Sequence, residues 1–483
     1  MKKRSLTQNY IYNLLYQILL IVLPIAVTPY ISRILGANGV GIYSYTTSIV
    51  TYFIMLGTFG LNMYGQREIA KVQDDVEQRS KLFKELFFSK FITISISTLF
   101  YLIFFCINNE YSLYYRILLL ELVAAILDIS WFFQGMEDFK KVAIRNIFSK
   151  ILSIVAIFIF VKKPEDIWIY LLLYGLSIFI GNISMFWDIK KYVIKVKKIN
   201  ILKHLKPMFL LLIPQIAVQI YTVLDKTMLG MILNDMNEVG YYEQAQKIVK
   251  LSLSLVTTFG AVMLPRISHI YASGNTKLLK ENIFRSFRFV WFLATPIAVG
   301  IFILSDQFVP WFFGTEFLEV ASLLKILSIM VIIISLSNVL GHQFLVATSQ
   351  QNKYTIAVSA SAVLNVILNI ILIPFTGAIG ACIASVAAEL TGFLLQCFFV
   401  RKTFSLKNIF SNSILYIFSA GIMGIIVWLY LNYFNSTTIY CTFIAIIIGV
   451  ISYALCLFIF QDEFLKIFLE KLKFLFKKEK KNS

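Results

Sequence analysis

Two lysines inside an apolar stretch are the residues of this sequence best suited to chemistry. The segment YYEQAQKIVKLSLSLVTTFG places Lys247 and Lys250 one helical turn apart, and helical rise puts them about 10 Å and about 15 Å into a membrane. A lysine facing lipid at this depth would cost several kcal/mol, so such residues usually face a polar pathway. An ammonium group there supplies a point charge for phosphate. Glu243 precedes Lys247 by four residues, the favourable order for an ion pair that offsets part of this charge.

Amides and other basic residues accompany these lysines at helical spacing. The candidate substrate-binding residues are Lys226, Lys247, Lys250, Lys325, Arg33, Gln215, Gln219, Asn13, Gln17, Asn338 and Asn365. Lysine suits phosphate, and amides exchange hydrogen bonds with sugar, so the set predicts a cavity for a large anionic, sugar-bearing substrate. Two alternatives stay open: the amides can bond neighbouring helices, and Lys226 and Lys325 lie close enough to an interface to snorkel.

Four carboxyl groups lie in the same apolar setting. We predict them as carriers of a coupling proton or sodium ion, with structural ion pairing as the alternative; they are Asp128, Glu121, Glu389 and Asp225. The sequence has no G-x-x-x-x-G-K-[ST] phosphate loop, no pairing of nucleophile with base and no cluster of metal ligands. We therefore expect no ATP hydrolysis, no catalytic residues, no metal and no cofactor beyond an H+ or Na+ gradient.

The elements that position these residues must be membrane helices. Only 14% of the 483 residues are charged, whereas soluble domains have about 25%. The apolar runs are continuous rather than alternating, which favours helices over a barrel. The sequence predicts an all-α polytopic membrane protein of about 14 spans, near residues 10–35, 40–64, 84–107, 112–134, 142–161, 166–187, 208–233, 239–264, 284–305, 317–346, 355–374, 379–400, 412–432 and 438–460.

Basic residues are distributed unevenly over this topology. With the N-terminus inside, 36 of the 44 Lys and Arg residues fall in inner segments and four in outer ones. This bias predicts that both termini are cytoplasmic. The net charge of +18 then reflects topology and contact with anionic lipid, so no nucleic acid binding is expected. The tail alternates bulky apolar residues with lysines, as in an amphipathic helix on the inner leaflet or a plain basic tail.

An internal repeat predicts the division into lobes. VGIYSYTTSIVTYFIMLGTFG at 40–60 resembles VGYYEQAQKIVKLSLSLVTTFG at 239–260, with aligned blocks offset by 199 to 200 residues. Six predicted helices separate the copies, so both have the same orientation. Two parallel, pseudo-symmetric six-helix bundles with a substrate cavity between them are predicted. The expected parts are lobes 1–200 and 201–405, helices 13 and 14 at 406–460, and the tail at 461–483.

Several longer blocks carry a family resemblance. They are PYISRILGANGVGIYSY (29–45), LDISWFFQGMEDFKKVAIRN (127–146), LDKTMLG (224–230), VGYYEQAQKIV (239–249), VMLPRIS (262–268) and GAIGACIASVAAEL (377–390). As a set they resemble the flippases of O-antigen, capsule and exopolysaccharide repeat units. These belong to the multidrug/oligosaccharidyl-lipid/polysaccharide (MOP) exporter superfamily, whose fold is MATE-like. The resemblance covers about the first 400 residues.

The resemblance implies a specific transport function. The substrate would be an undecaprenyl-pyrophosphate-linked oligosaccharide, moved from the inner to the outer leaflet of a bacterial plasma membrane by alternating access. An ion gradient or substrate supply would drive it, and polysaccharide polymerase and chain-length machinery would be partners.

Two other functions stay open at this point. An ion-coupled multidrug-type antiporter shares the fold, but it would be expected to bind cations through carboxylates, and the deep groups here are lysines. A membrane glycan polymerase or ligase would be an enzyme with a sizeable outer loop. The longest predicted outer connection, around Asp306–Glu316, is short. Lipid II flippases share the fold as well.

Overall fold

The computed structural model describes residues 6–196, 199–404, 409–410, 413–434, 436–462 and 464–466. These residues are almost entirely helical and contain no strand, so the predicted all-α class is confirmed. The chain divides into two compact units, Met1–Gly240 and Tyr241–Ser483. The units are defined by packing rather than by the repeat, so the predicted lobe bounds stay a prediction.

Helices α1 to α9 and the first turn of α10 form the first unit. They are α1 (Leu6–Thr58), α2 (Leu61–Lys71), α3 (Val76–Tyr101), α4 (Ser112–Leu127), α5 (Ser130–Gly135), α6 (Phe139–Phe160), α7 (Ile167–Ser184), α8 (Phe186–Ile189), α9 (Leu202–Leu233) and α10 (Met236–Ala272). A π-helical turn, Leu102–Cys106, extends α3. The Asp75 side chain accepts the backbone N–H groups of Glu77 and Gln78, which fixes the start of α3.

The second unit contains the rest of α10 and five further helices. They are α11 (Thr276–Phe312), α12 (Glu319–Asn338), α13 (Gln351–Val400), α14 (Ser413–Phe434) and α15 (Ile439–Ile459). A π-helical segment, Val339–Val346, continues α12. Asn275 and Thr438 cap the starts of α11 and α15 through their side-chain oxygens.

The number of spans agrees with the prediction. Eleven helices of the described chain are long and apolar enough to cross a membrane. Two of them are pairs of spans, because α1 and α13 are broken at Gly36 (φ 67°) and Gly377 (φ 58°), conformations that favour glycine. Together with α9, which is 32 residues long, they account for the fourteen predicted spans. The orientation of the termini stays a prediction.

The predicted span 112–134 is confirmed, because Ser112–Gly135 is long and apolar enough to cross a membrane. It is interrupted between α4 and α5, where Asp128 is extended and its carboxylate accepts the backbone N–H of Ser130 in competition with the helical hydrogen bonds. One local prediction is wrong. The connection predicted around Asp306–Glu316 is largely helix, since α11 continues to Phe312. That side chain is buried, so the apolar residues there pack in the protein instead of forming a loop.

Two glycines that the repeat makes equivalent lie against each other in the first unit. A Cβ atom on Gly41 would be 1.7 Å from the carbonyl oxygen of Met236, and one on Gly240 would be 2.2 Å from that of Ala37. The contact is reciprocal, because residues 37 and 236, like 41 and 240, are 199 positions apart. Only glycine allows two helix backbones to approach this closely.

We expect Gly41→Ala and Gly240→Ala each to destabilise the protein by about 1–3 kcal/mol, because the added methyl forces the backbones apart. The measurement is the apparent melting temperature of the purified protein in detergent. Gly421→Ala is the control, since a Cβ there has no atom within 4 Å. Unchanged melting temperatures for both crossing variants would contradict the observed packing.

Candidate functional site

A buried carboxylate fixes the start of α9, the helix that carries four of the predicted site residues. Glu85 is fully buried and accepts hydrogen bonds from the backbone of Asn200 (2.8 Å) and from Lys203 (2.8 Å). His204 lies 2.9 Å from Glu85 through Nε2 and 2.9 Å from the Tyr64 hydroxyl through Nδ1. The network joins α2, α3 and α9, so the position of the α9 side chains is set by the first unit.

Asp225 and Lys226 of α9 are followed by Thr227, whose side chain forms polar contacts with α1. The Thr227 hydroxyl is 3.1 Å from the Tyr52 hydroxyl and donates to Ser48 at 3.2 Å. Asp225 is 4% exposed, whereas Lys226 is partly exposed. The two neighbours therefore differ in access, and the carboxylate is held inside the first unit.

The other predicted residues of the first repeat and of α9 are described in part. Arg33 is exposed and stands three residues before the break at Gly36, and Gln219 is partly exposed. The side chains of Asn13, Gln17 and Gln215 lie outside the described residues.

The lysines of α10 share one face of that helix. Lys250 is exposed, and the side chain of Lys247 is 27% exposed. Lys247 Nζ lies 3.6 Å from Glu243 Oε1, so the predicted ion pair is confirmed. Tyr242 and Gln244 of the same helix are buried. The two lysines are therefore among the side chains of α10 that a ligand can reach.

Lys325 forms an ion pair with Asp306, a residue predicted to lie in a loop. Its Nζ is 2.7 Å from Asp306 Oδ2; the lysine side chain is partly exposed and the aspartate side chain is exposed. The partner was missed because α11 extends further than predicted, which brings Asp306 beside α12. The charge of Lys325 is therefore largely offset in this structure.

The amides of the second unit belong to its packed interior. Asn365 is 1% exposed and its Oδ1 accepts from Asn369 Nδ2 at 3.2 Å. Asn338 Oδ1 is 3.4 Å from Gln343 Nε2 and faces Gly260 of α10, where a Cβ would come within 2.4 Å of it. These contacts agree with the alternative interpretation of amides as helix-packing partners.

A charged cluster at the α4–α5 break was not predicted. Lys90, only 2% exposed, donates from Nζ to the backbone carbonyl of Asp128 at 2.7 Å. Arg145 Nη2 lies 3.7 Å from the Asp128 carboxylate, and Nη1 donates to Asn182. Asp128 is therefore an ion-pair partner that joins α3, α4 and α6. The signal was available, since Lys90 lies inside the predicted span 84–107 and Arg145 inside the predicted span 142–161.

Two of the predicted carboxyl groups lack such partners. Glu121 on α4 has a buried Oε1 atom with no hydrogen-bond partner. Glu389 on α13 is mostly buried and forms no ion pair with any residue that the structure describes. These two groups therefore differ from Asp128, which has basic partners.

An apolar groove runs between α11, α14 and α15. Its volume is about 480 Å³, and its walls include Phe292, Leu304, Val427 and Val450. A Cβ on Gly300, which lines the groove, would meet nothing within 4 Å, so the space there is open. A groove of this composition can hold an extended hydrocarbon chain.

Comparison with known proteins assigns the family. The family described as "Polysaccharide biosynthesis protein" matches residues 6–271, more than half of the chain, and a second family, MatE, matches residues 211–371. The putative O-antigen transporter of Escherichia coli (strain K12) is 27% identical over 419 residues, which cover 83% of this chain and 98% of that protein. Because such relatives are named as transporters, the prediction of a transporter rather than an enzyme is confirmed.

Solved structures show the same fold. A lipid II flippase, MurJ, in an inward closed conformation matches with a TM-score of 0.75 and 19% identity, covering 95% of this chain and 100% of that one. An inward-facing multidrug resistance MATE transporter of the MOP superfamily matches with a TM-score of 0.61 and 15% identity, covering 76% and 94%. The chain therefore belongs to the polysaccharide biosynthesis protein family, and it shares its fold with MurJ and with MATE transporters.

Proposed function

We propose that this protein moves an undecaprenyl-pyrophosphate-linked oligosaccharide from the inner to the outer leaflet of the bacterial plasma membrane. The observation that carries the proposal is the match to the E. coli putative O-antigen transporter over 98% of that protein's length. The mechanism is alternating access, and both termini are cytoplasmic, as the distribution of basic residues favours.

The chemistry of the described residues supports a substrate with three parts. The basic stripe of Lys247 and Lys250 supplies positive charge for a diphosphate. The groove between α11, α14 and α15 offers an apolar surface for a polyprenyl chain. Partly exposed polar side chains such as Gln219 provide hydrogen-bonding groups for sugar. An amphipathic anion of this kind differs from the cationic substrates expected of a multidrug antiporter.

The surroundings of the four predicted carboxyl groups bear on how transport is driven. Asp128 is paired with basic groups, so protonating it would break an ion pair, and Asp225 is held inside the first unit. Glu121 and Glu389 have no such pairing, which makes them the better carriers of a coupling proton. We propose that a proton gradient drives the cycle through one of these two groups.

The direct test is transport by the purified protein in proteoliposomes. A fluorescent undecaprenyl-diphosphate oligosaccharide should become accessible to a membrane-impermeant reagent at a rate that depends on the protein. Lipid II and a cationic dye, offered in parallel, separate this function from a lipid II flippase and from a multidrug antiporter. Transport of the dye alone, or of lipid II alone, would overturn the proposal.

We expect Lys247→Ala and Lys250→Ala each to lower the transport rate by about tenfold, because each removes a charge-assisted contact with phosphate. The amount of protein in the membrane should not change, since Lys250 is exposed and Lys247 is partly exposed. Lys191→Ala is the control, because that lysine is 74% exposed and pairs with a neighbouring Asp188. Normal rates in both single variants and in the double variant would contradict the assignment of these lysines as phosphate contacts.

We expect Glu121→Gln or Glu389→Gln to abolish stimulation of transport by an inward-directed proton gradient. The amide imitates the protonated carboxyl group permanently, so it cannot release a proton during the cycle. The ratio of rates with and without the gradient is the quantity to measure, and Glu165→Gln, at an exposed position, is the control. A ratio that stays at the wild-type value in both variants and in the double variant would exclude coupling through these groups.

A further inference from the structure

The charged cluster at the α4–α5 break holds two basic side chains and one carboxylate. Lys90 donates to the Asp128 backbone carbonyl at 2.7 Å, and Arg145 Nη2 lies 3.7 Å from the Asp128 carboxylate. Among the residues that the structure describes, no other acidic side chain forms an ion pair with Lys90 or Arg145. Because a charge inside the membrane needs compensation, the excess of one positive charge favours an anionic ligand.

The Arg145 guanidinium has one edge that makes no hydrogen bond. Its Nη1 donates to the Asn182 side chain, which in turn donates to the Ala124 carbonyl at 2.7 Å. Its Nε is buried with no hydrogen-bond partner in the described chain, and Nη2 is too far from Asp128 for a hydrogen bond. Nε and Nη2 form a side of the guanidinium group that can bind a carboxylate through two parallel hydrogen bonds. The geometry of this edge therefore suits a carboxylate.

A second donor lies one helical turn further along α6. Ser149 is 8% exposed, and its hydroxyl has no hydrogen-bond partner among the described residues. It shares a face of α6 with Arg145, and both side chains lie beside Gly181 of α7. A Cβ added at Gly181 would collide with the Ser149 hydroxyl and would be 3.1 Å from Arg145 Cδ. Glycine at this position thus lets the hydroxyl lie next to the guanidinium, where both can donate to one ligand.

The cluster is accessible and lies near one side of the membrane. The side chains of Asp128 and Arg145 are 25% and 12% exposed. Lys90 is six residues inside the predicted span 84–107, and Arg145 is three residues inside the predicted span 142–161. Both spans are predicted to begin at the cytoplasmic side, so the helical rise puts the two basic residues within about 10 Å of it. Under the proposed function, the sugars of the substrate enter from this side.

We propose that Arg145, together with Lys90 and Ser149, binds a carboxylate that belongs to an acidic sugar of the transported oligosaccharide. A carboxylate balances the single excess charge of the cluster, whereas the diphosphate carries more charge and is assigned to the lysines of α10. This inference rests on the proposed function and adds the class of oligosaccharide to it, namely repeat units that contain a uronic acid or a similar sugar acid.

The test compares two disaccharides that differ in one carboxylate. Cellobiose and cellobiouronic acid are titrated into the purified full-length protein in detergent, and binding is followed by calorimetry. Sodium acetate and sodium chloride are titrated in parallel. The wild-type protein should bind the acidic disaccharide about tenfold more tightly than cellobiose, the difference expected for one charge-assisted hydrogen bond. Arg145→Gln should remove this difference and leave cellobiose binding unchanged.

Two further variants separate ligand binding from support of the fold. Asp128→Asn removes the carboxylate of the cluster and should tighten binding of the acidic disaccharide, because both basic groups then face the ligand alone. Arg145→Lys keeps the charge but loses the planar fork, so its affinity should lie between those of the wild type and Arg145→Gln. Arg116→Gln is the matched control, since Arg116 of the same unit is exposed and donates to the Cys106 carbonyl at 3.1 Å.

A purely structural cluster predicts a different result. The wild-type protein would then bind the two disaccharides equally, and that outcome would overturn the proposal. Acetate or chloride binding as tight as that of the acidic disaccharide would also overturn it, because the site would then take a free anion. If Arg145→Gln does not fold, Arg145→Lys and Asp128→Asn still decide the question, since their expected effects have opposite signs.

Binding and transport give separate answers. Selective binding of the acidic disaccharide, in a protein that moves neither acidic nor neutral lipid-linked oligosaccharide, would contradict the proposed function and leave the site standing. Equal transport of lipid-linked oligosaccharides with and without a uronic acid, unchanged in Arg145→Gln, would contradict the site alone.

Discussion

A charge inside a membrane helix needs a partner, because hydrocarbon offers none, and this constraint organises much of the fold. Glu85 holds the start of α9 through Lys203 and His204, and Asp462 holds α14 and the end of α15 against α11 through Arg288. The Lys90–Asp128–Arg145 cluster does the same for α3, α4 and α6. Each network joins elements that are distant in the chain, so the contacts that compensate the charges also hold the helices together.

Where no charged groups join two helices, close packing of their backbones holds them together. Lipid chains are as apolar as the helices, so association in the membrane depends on how closely backbones can approach. Gly41 and Gly240 meet the reciprocal carbonyl groups of Met236 and Ala37, and Gly60 likewise lies against the backbone of α9. The repeat thus has a physical counterpart, since equivalent glycines form one symmetric contact at the start of α10.

Other features suit the proposed function. Lys250 is exposed on a membrane helix, Glu121 has a buried carboxyl oxygen with no hydrogen-bond partner, and the groove of the second unit is open at Gly300. Each corresponds to a need of the proposed function: a contact for phosphate, a carrier for a proton and a surface for a polyprenyl chain.

The sequence by itself determined the helix count, the breaks near Gly36 and Gly377 and the Glu243–Lys247 pair, because apolar run length, glycine and i,i+4 spacing are local properties. It could not assign partners across helices. The sequence predicts Asp128 as an ion carrier or a structural ion-pair partner, and Lys325 as a substrate contact or a snorkelling lysine. The structure places Asp128 beside Lys90 and Arg145, and Lys325 beside Asp306. Only the tertiary structure decided which charges are compensated, since compensation depends on which helices pack together.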